Sequence, residues 1–98
     1  MIALSFEWND KKDLLNVRKH GVGFAEAQTV FYDEFALLIH DPDHSDEEDR
    51  FVLLGMSQKA RVLVVCHCYR KNDEVIRIIS ARKAVRTEQQ LYMKRREL

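Results

Sequence analysis

Two apolar runs in the second half of the chain constrain its fold most. RVLVVCHCY (61–69) and VIRIISA (75–81) are rich in β-branched residues and flank KNDE. Runs of that length, separated by a turn-forming tetrapeptide, read as neighbouring strands. RFVLLGM (50–56) precedes them across SQKA as the other arm of a hairpin. FALLIHD (35–41) is a fourth strand, stopped by Pro42 and the acidic loop DPDHSDEED. Strands joined by connections this short are expected to run antiparallel.

The flanking segments have helical signals. NDKKDLLNVRKHG can be capped by Asn9 or Asp10 and ended at Gly21, although Leu14, Leu15 and Val17 give it only a thin apolar stripe. FAEAQTVF (24–31) aligns Phe24, Ala27 and Phe31, and KAVRTEQQLYMKRREL closes the chain as a helix with Val85, Glu88 and Tyr92 on one side. IALSFEW is a short strand expected at a sheet edge. The expected architecture is α+β: an antiparallel β-sheet of about four strands, two N-terminal helices and a C-terminal helix. Ninety-eight residues suit a single domain, 1–98, with one modest core.

Strand alternation divides the side chains. Val62, Val64, Cys66 and Cys68 form an apolar face, opposed by Arg61, Leu63, Val65, His67 and Tyr69. In the last strand Ile76, Ile78 and Ser80 oppose Arg77, Ile79 and Ala81. One face can be packed under helices while the other stays partly open, where His67, Tyr69, Arg77 and Arg50 are expected to meet if the hairpin register allows.

Charge narrows the function. The net charge is zero, but Asp33 to Arg50 holds eight acids against Arg50 alone, and Arg77 to Leu98 holds seven basic residues against two acids. The basic end can attract a polyanion, although many solvated helices also end this way. No apolar run is long enough for a membrane span and the N-terminus lacks a signal-peptide pattern. Cys66 and Cys68, two apart on a strand, are poorly placed for a mutual disulfide. A cytoplasmic protein with reduced thiols is the simplest expectation.

No phosphate-cradling glycine loop, Ser-His-Asp arrangement or facing carboxylate pair can be assembled. His40, Asp41, Asp43, His44, Cys66, His67 and Cys68 carry metal-ligating atoms, but His67 points away from both cysteines and no pair has a zinc spacing. The expectation is no metal and no cofactor, with the cysteines acting as small buried hydrophobes.

What remains suits phosphodiester chemistry. RNA carries its own nucleophile, the 2′-hydroxyl, so cleavage needs a base, a cation for the phosphorane and an acid for the leaving 5′-oxygen. Arginine keeps its charge and binds phosphate with a planar fork. Arg82 beside Lys83 at an expected helix start is anomalous, because cations are disfavoured there; a phosphate or carboxylate partner would explain it.

FEWND, NVRKHGVGF followed by AQTVF, the single arginine of EEDRF, LVV, and above all IRIISARKA with a later glutamate and LY resemble the BrnT toxins. These are ribonucleases of type II toxin–antitoxin systems with a fold similar to RelE. The resemblance runs from Phe6 to Tyr92, and KHGV followed by RIISARKA is its specific part. Asn9 stands where the family typically carries aspartate, a change of helix cap. The resemblance implies an endoribonuclease that inhibits translation and growth by cutting RNA, and attack by the 2′-hydroxyl makes a metal-independent reaction the expectation. It also implies a BrnA-type antitoxin partner, expected in a higher-order complex such as a heterotetramer, whose DNA-binding domain lets the complex repress its operon; DNA is reached only through that partner.

Carried over by position, the family's polar residues fall on Lys19, His20, Arg50, Arg77, Ser80, Arg82, Glu88 and Tyr92. Arg77 and Arg82, with Arg50, are expected to bind the phosphate, and Ser80, Lys83 and Glu88 to contact the substrate. Proton transfer falls to His20 or His67, with Lys19 and Tyr92 behind them; a histidine, with a reference pKa near ~6.5, suits both steps. On a regular strand Arg77 and Arg82 face opposite ways, a conflict that a turn after Ser80 would remove. The rival reading is a non-catalytic module that docks a partner in an operon-regulating complex.

Overall fold

The structure, a computed structural model, describes residues 4–41 and 49–97. Asp43 and His44 of the metal reading lie outside the described residues. The elements are β1 (Ser5–Glu7), α1 (Asp10–His20), α2 (Phe24–Thr29) prolonged by one 3-10 turn (Val30–Tyr32), β2 (Leu37–Asp41), β3 (Arg50–Met56), β4 (Val62–Arg70), β5 (Val75–Lys83) and α3 (Arg86–Arg96). The side chain of Asn9 accepts from Lys12 N–H at 3.0 Å, and Gly21 ends α1 in the left-handed region at φ 69°.

The sheet order is β1-β5-β4-β3-β2. β2 to β5 are successively antiparallel, as the short β3–β4 and β4–β5 turns require of those pairs, but β1 pairs with β5 in parallel, Glu7 opposite Arg77. The sheet is therefore five-stranded and mixed, not an antiparallel sheet of about four. Turn lengths could not reveal this, because β1 and β5 share no hairpin. β1 is held at its edge by Phe6, whose ring meets Phe31 edge-on at 5.3 Å. Beyond β1's three residues the outer edge of β5 is capped by Asn16. Its side-chain amide donates to Ala81 O at 2.7 Å and to Val22 O at 2.8 Å, and accepts from Ala81 N–H at 3.2 Å.

The helices choose a face. Val22, Phe24, Ala27 and Val30 pack with Leu53, Leu63, Val65, Ile78 and Ala81 as the main core. Burial there drives folding, at about 1.5–3 kcal/mol for each fully buried large apolar side chain. His67 belongs to this face and is fully buried. α1 contributes little apolar surface: Asn16 is its buried residue, while Leu14 and Leu15 are 64% and 60% exposed. Across the sheet, α3 lays Tyr92 over Leu54 and Val64, flanked by Val52, Met56 and Val62. It covers only that end, leaving the Arg50–Cys66–Ser80 end open.

Two polar knots fix the connections. Buried Glu26 receives both Arg61 Nε (2.9 Å) and Nη2, and the Ser57 hydroxyl at 2.7 Å, which ties α2 to the β3–β4 turn. Asp33 accepts from Met56 N–H at 2.8 Å and from the Tyr92 hydroxyl. Gly55 is required by close packing: a Cβ there would lie 2.8 Å from Val30 Cγ1 and 2.9 Å from Ala36 Cβ.

Candidate functional site

A bulge builds the site. Between β4 and β5 the register slips, with Cys66 opposite Ser80 but His67 opposite Ile78, so Ile79 is the extra residue. A bulge changes the parity of everything beyond it. Arg77, Ile79, Ser80 and Arg82 consequently share the open face, while Ile76, Ile78 and Ala81 share the core face. β5 runs on to Lys83 and pairs Arg82 with Val64. The conflict between Arg77 and Arg82 is thus removed by a bulge within the strand and not by a turn after Ser80.

The open face holds a cleft of about 340 Å³. His20, Asp41, Arg50, Cys66, Ser80 and Arg82 supply its polar lining, and Val52, Val64 and Ile79 are among its apolar walls. His20 reaches it as the last residue of α1, one turn beyond the Asn16–Ala81 clasp. Arg50 starts β3 and stands opposite Asp41 in the β2–β3 register. Burial pushes the Cys66 thiol up, and neighbouring Arg50 and the hydrogen bond with Ser80 only partly oppose this. The group is therefore a neutral thiol, not a thiolate nucleophile.

Arg82 has the carboxylate partner that its position demanded. Its Nη1 and Nη2 donate to Glu88 Oε1 and Oε2 at 2.8 and 2.9 Å, and Glu88 Oε1 also accepts Val85 N–H at 2.8 Å. One carboxylate thus caps α3 and fixes a guanidinium at the cleft. Arg82 holds the Glu88 carboxyl below its ordinary range, against the effect of burial. Both Glu88 oxygens are thus engaged within the protein, on Arg82 and on the start of α3. Arg77 donates Nη1 to Glu7 Oε2 at 2.9 Å and does not line the cleft.

Other expected residues are not brought together here. His67 and Tyr69 lie on the helix-covered side, so they do not meet Arg77 and Arg50 on an open face. The helices cover the Leu63–Val65–His67 side, and the apolar Val62–Val64 end of the other face is taken by α3. His67 packs edge-on against Phe31 at 4.7 Å, and burial lowers its pKa. Tyr92 is fully buried with its hydroxyl on Asp33; burial first, then Asp33, push its pKa to about 12. Lys19 is exposed on α1 outside the lining, and Lys83 pairs with Leu63 on the helix side, its Nζ near Gly21. Cys68 is a buried small residue, as expected, but Cys66 lines the cleft.

Three residues escaped the sequence reading: Glu7, Asn16 and Asp41 as part of the cleft. Alternation in FEW does place Glu7 opposite Phe6 and Trp8, and a polar Asn16 beside Leu15 and Val17 is a detectable anomaly. Nothing local pairs Asp41 with Arg50.

Residues 8–88 match the family model described as ribonuclease toxin, BrnT, of type II toxin–antitoxin system. Among solved structures, the crystal structure of the Brucella abortus ribonuclease toxin BrnT is similar at a TM-score of 0.64 and 21% identity, covering 86% of this chain and 100% of that one. No curated protein matches.

Proposed function

Since the chain belongs to the BrnT family of ribonuclease toxins of type II toxin–antitoxin systems, we propose that it cleaves RNA in the cleft bounded by His20, Arg50, Ser80 and Arg82, without a metal ion. The observation that carries this reading is the convergence of those four side chains, from α1, β3 and β5, on one opening. A phosphodiester entering there meets two guanidiniums, which keep their charge at any working pH and stabilise the phosphorane. His20 takes the proton from the 2′-hydroxyl as its oxygen bonds to phosphorus. The bond to the 5′-oxygen then breaks, and that oxygen is protonated from the solvent-open mouth. Ser80 is placed to hydrogen-bond the phosphate or ribose. Lys19, next to His20 on α1, is the alternative proton carrier.

A toxin of this type acts on RNA and is held in check by an antitoxin. We place that partner across the same face, covering Arg82 and Arg77. A BrnA-type antitoxin with a DNA-binding domain, in a heterotetramer, fits the RelE-like scaffold that the sequence suggested, with DNA reached only through it. The setting is the cytoplasm, where RNA cleavage stops translation and growth. Among the described residues no helix is long and apolar enough to cross a membrane.

The test is cleavage of one RNA by the purified chain in EDTA, with Arg82→Ala and Arg50→Ala checked for fold by circular dichroism. Each substitution is expected to cost about 10²–10³ in rate. Activity that vanishes in EDTA overturns the metal-free mechanism, and near-wild-type cleavage by both variants overturns the site. A folded wild-type chain that cuts no RNA under any condition points to the docking module instead. Charge reversal, Arg82→Glu, is expected to weaken antitoxin binding; unchanged affinity places the interface elsewhere.

A further inference from the structure

Arg77 and Arg82 share a face, but their ion pairs splay them apart. Their partners on β4, Cys68 and Val64, stand four residues apart on the uninterrupted strand, which sets the two backbones ~13 Å apart. Arg82 is drawn towards α3 by both oxygens of Glu88. Arg77 is drawn the other way, towards the β1 edge, by Glu7, its neighbour in the parallel register. The cleft runs across the Ile79–Arg82 end of β5 and over β4 and β3, and includes Arg82 without Arg77. Two guanidiniums anchored in opposite directions across that span do not close on one phosphate.

Each nevertheless keeps capacity for an anion. Among the described residues Arg82 donates through Nη1 and Nη2 and Arg77 through Nη1, which leaves the Nε side of both groups open. The Arg77–Glu7 pair is part-exposed, with side chains 29% and 36% accessible, and such pairs are weak enough to share their cation. Between the two arginines the bulge turns Ile79 and Ser80 outward, so the open face of β5 forms one continuous strip from cleft to edge.

From this geometry, and resting on the cleft being the cleavage site, we infer that Arg77 is a second phosphate subsite, separate from the reacting phosphate. The substrate is therefore an extended single strand of RNA laid along β5, with the scissile phosphate at Arg82 and a neighbouring phosphate at Arg77.

The experiment compares Arg77→Ala and Arg82→Ala on a single-stranded oligoribonucleotide. It also measures binding of the same sequence carrying 2′-O-methyl groups throughout, which cannot be cut by 2′-hydroxyl attack. Arg77→Ala is expected to raise KM roughly ten-fold, the loss of one charge-assisted hydrogen bond, with kcat falling far less than in Arg82→Ala. The slope of log affinity against log salt should shrink by about 0.7, one phosphate contact on a single strand. Arg77→Lys keeps the charge and should restore the slope. If Arg77→Ala cuts kcat at saturating RNA as deeply as Arg82→Ala does, both arginines share the reacting phosphate and the subsite is refuted. A folded Arg77→Ala variant with unchanged KM and salt slope refutes it as well. Cleavage surviving Arg82→Ala instead overturns the placement of the cleavage site, while the salt slope still reports on Arg77 independently.

Discussion

Tyr92 donates its hydroxyl to Asp33 Oδ2 at 2.5 Å, and the same oxygen accepts Met56 N–H at 2.8 Å. One carboxylate thereby joins α3, the end of β3 and the turn after α2. Burial works against its charge, yet the hydrogen bonds from Met56, Tyr92 and Phe35 hold the Asp33 carboxyl below its ordinary range. Tyr92→Phe deletes one of these bonds and keeps the ring, so it is expected to lower stability by roughly 1–3 kcal/mol. RNA cleavage by the folded fraction should be unchanged, because neither Tyr92 nor its partner Asp33 lines the cleft. Urea unfolding and a cleavage assay on one preparation check both halves; a variant stable but inactive would return Tyr92 to the chemistry.

The fully buried His67 makes stability depend on pH in mildly acidic solution. Burial holds its pKa below the ordinary 6.5. As pH falls through 6.5 the unfolded chain takes up a proton that the folded chain refuses, so unfolding becomes easier. Glu26 and Glu88 act in the same sense further down, since Arg61 and Arg82 hold them below 4.5. Two stages of acid destabilisation are expected in urea titrations at a series of pH values. His67→Phe should flatten the upper stage and leave the lower one, and an unaltered upper stage would assign it to another group.

Sequence made visible what is local. Asn9 and Gly21 bound α1, and the β-branched runs set β4 and β5, because caps and alternation act over a few residues. The bulge at Ile79 was not visible: RIISARK alternates acceptably, and the slip arises from pairing with Cys66 and His67 on another strand. Since that slip decides which side chains share a face, alternation alone grouped His67 with Arg77 and separated Arg77 from Ser80. The parallel sense of β1 was hidden for the same reason, its partner β5 being remote in the chain. At the site, charge chemistry marked Arg82 as needing an anion, but only the folded corner shows that Glu88 supplies it.

His20 lines the cleft while His67 is buried under the helices, so their substitutions are expected to differ in effect on cleavage. His20→Ala should abolish most activity, since His20 lines the cleft. His67→Phe should retain cleavage in whatever fraction folds. Cleavage rate per folded molecule, with circular dichroism as the fold control, is the measurement, and a His67 variant that folds but cannot cut RNA would contradict the geometry.

Glu88 offers the sharpest separation of structure from chemistry. Its Oε1 serves the cap at Val85 N–H and the Arg82 fork together. Glu88→Gln keeps an acceptor for the cap, since glutamine serves capping boxes as glutamate does, but loses the two-oxygen contact that orients Arg82. The pair is partly exposed, with side chains 42% and 28% accessible, so the stability cost should stay below about 1 kcal/mol. Cleavage should fall further, by roughly 10- to 100-fold, because a guanidinium displaced by about an ångström no longer meets the phosphorane. The loss should appear in kcat, with KM moving less. Glu88→Ala, lacking cap and fork, should add a loss of stability to the same loss of rate. Faster cleavage by Glu88→Gln would show instead that the carboxylate competes with RNA for Arg82, making the pair a mask over the site and not its support.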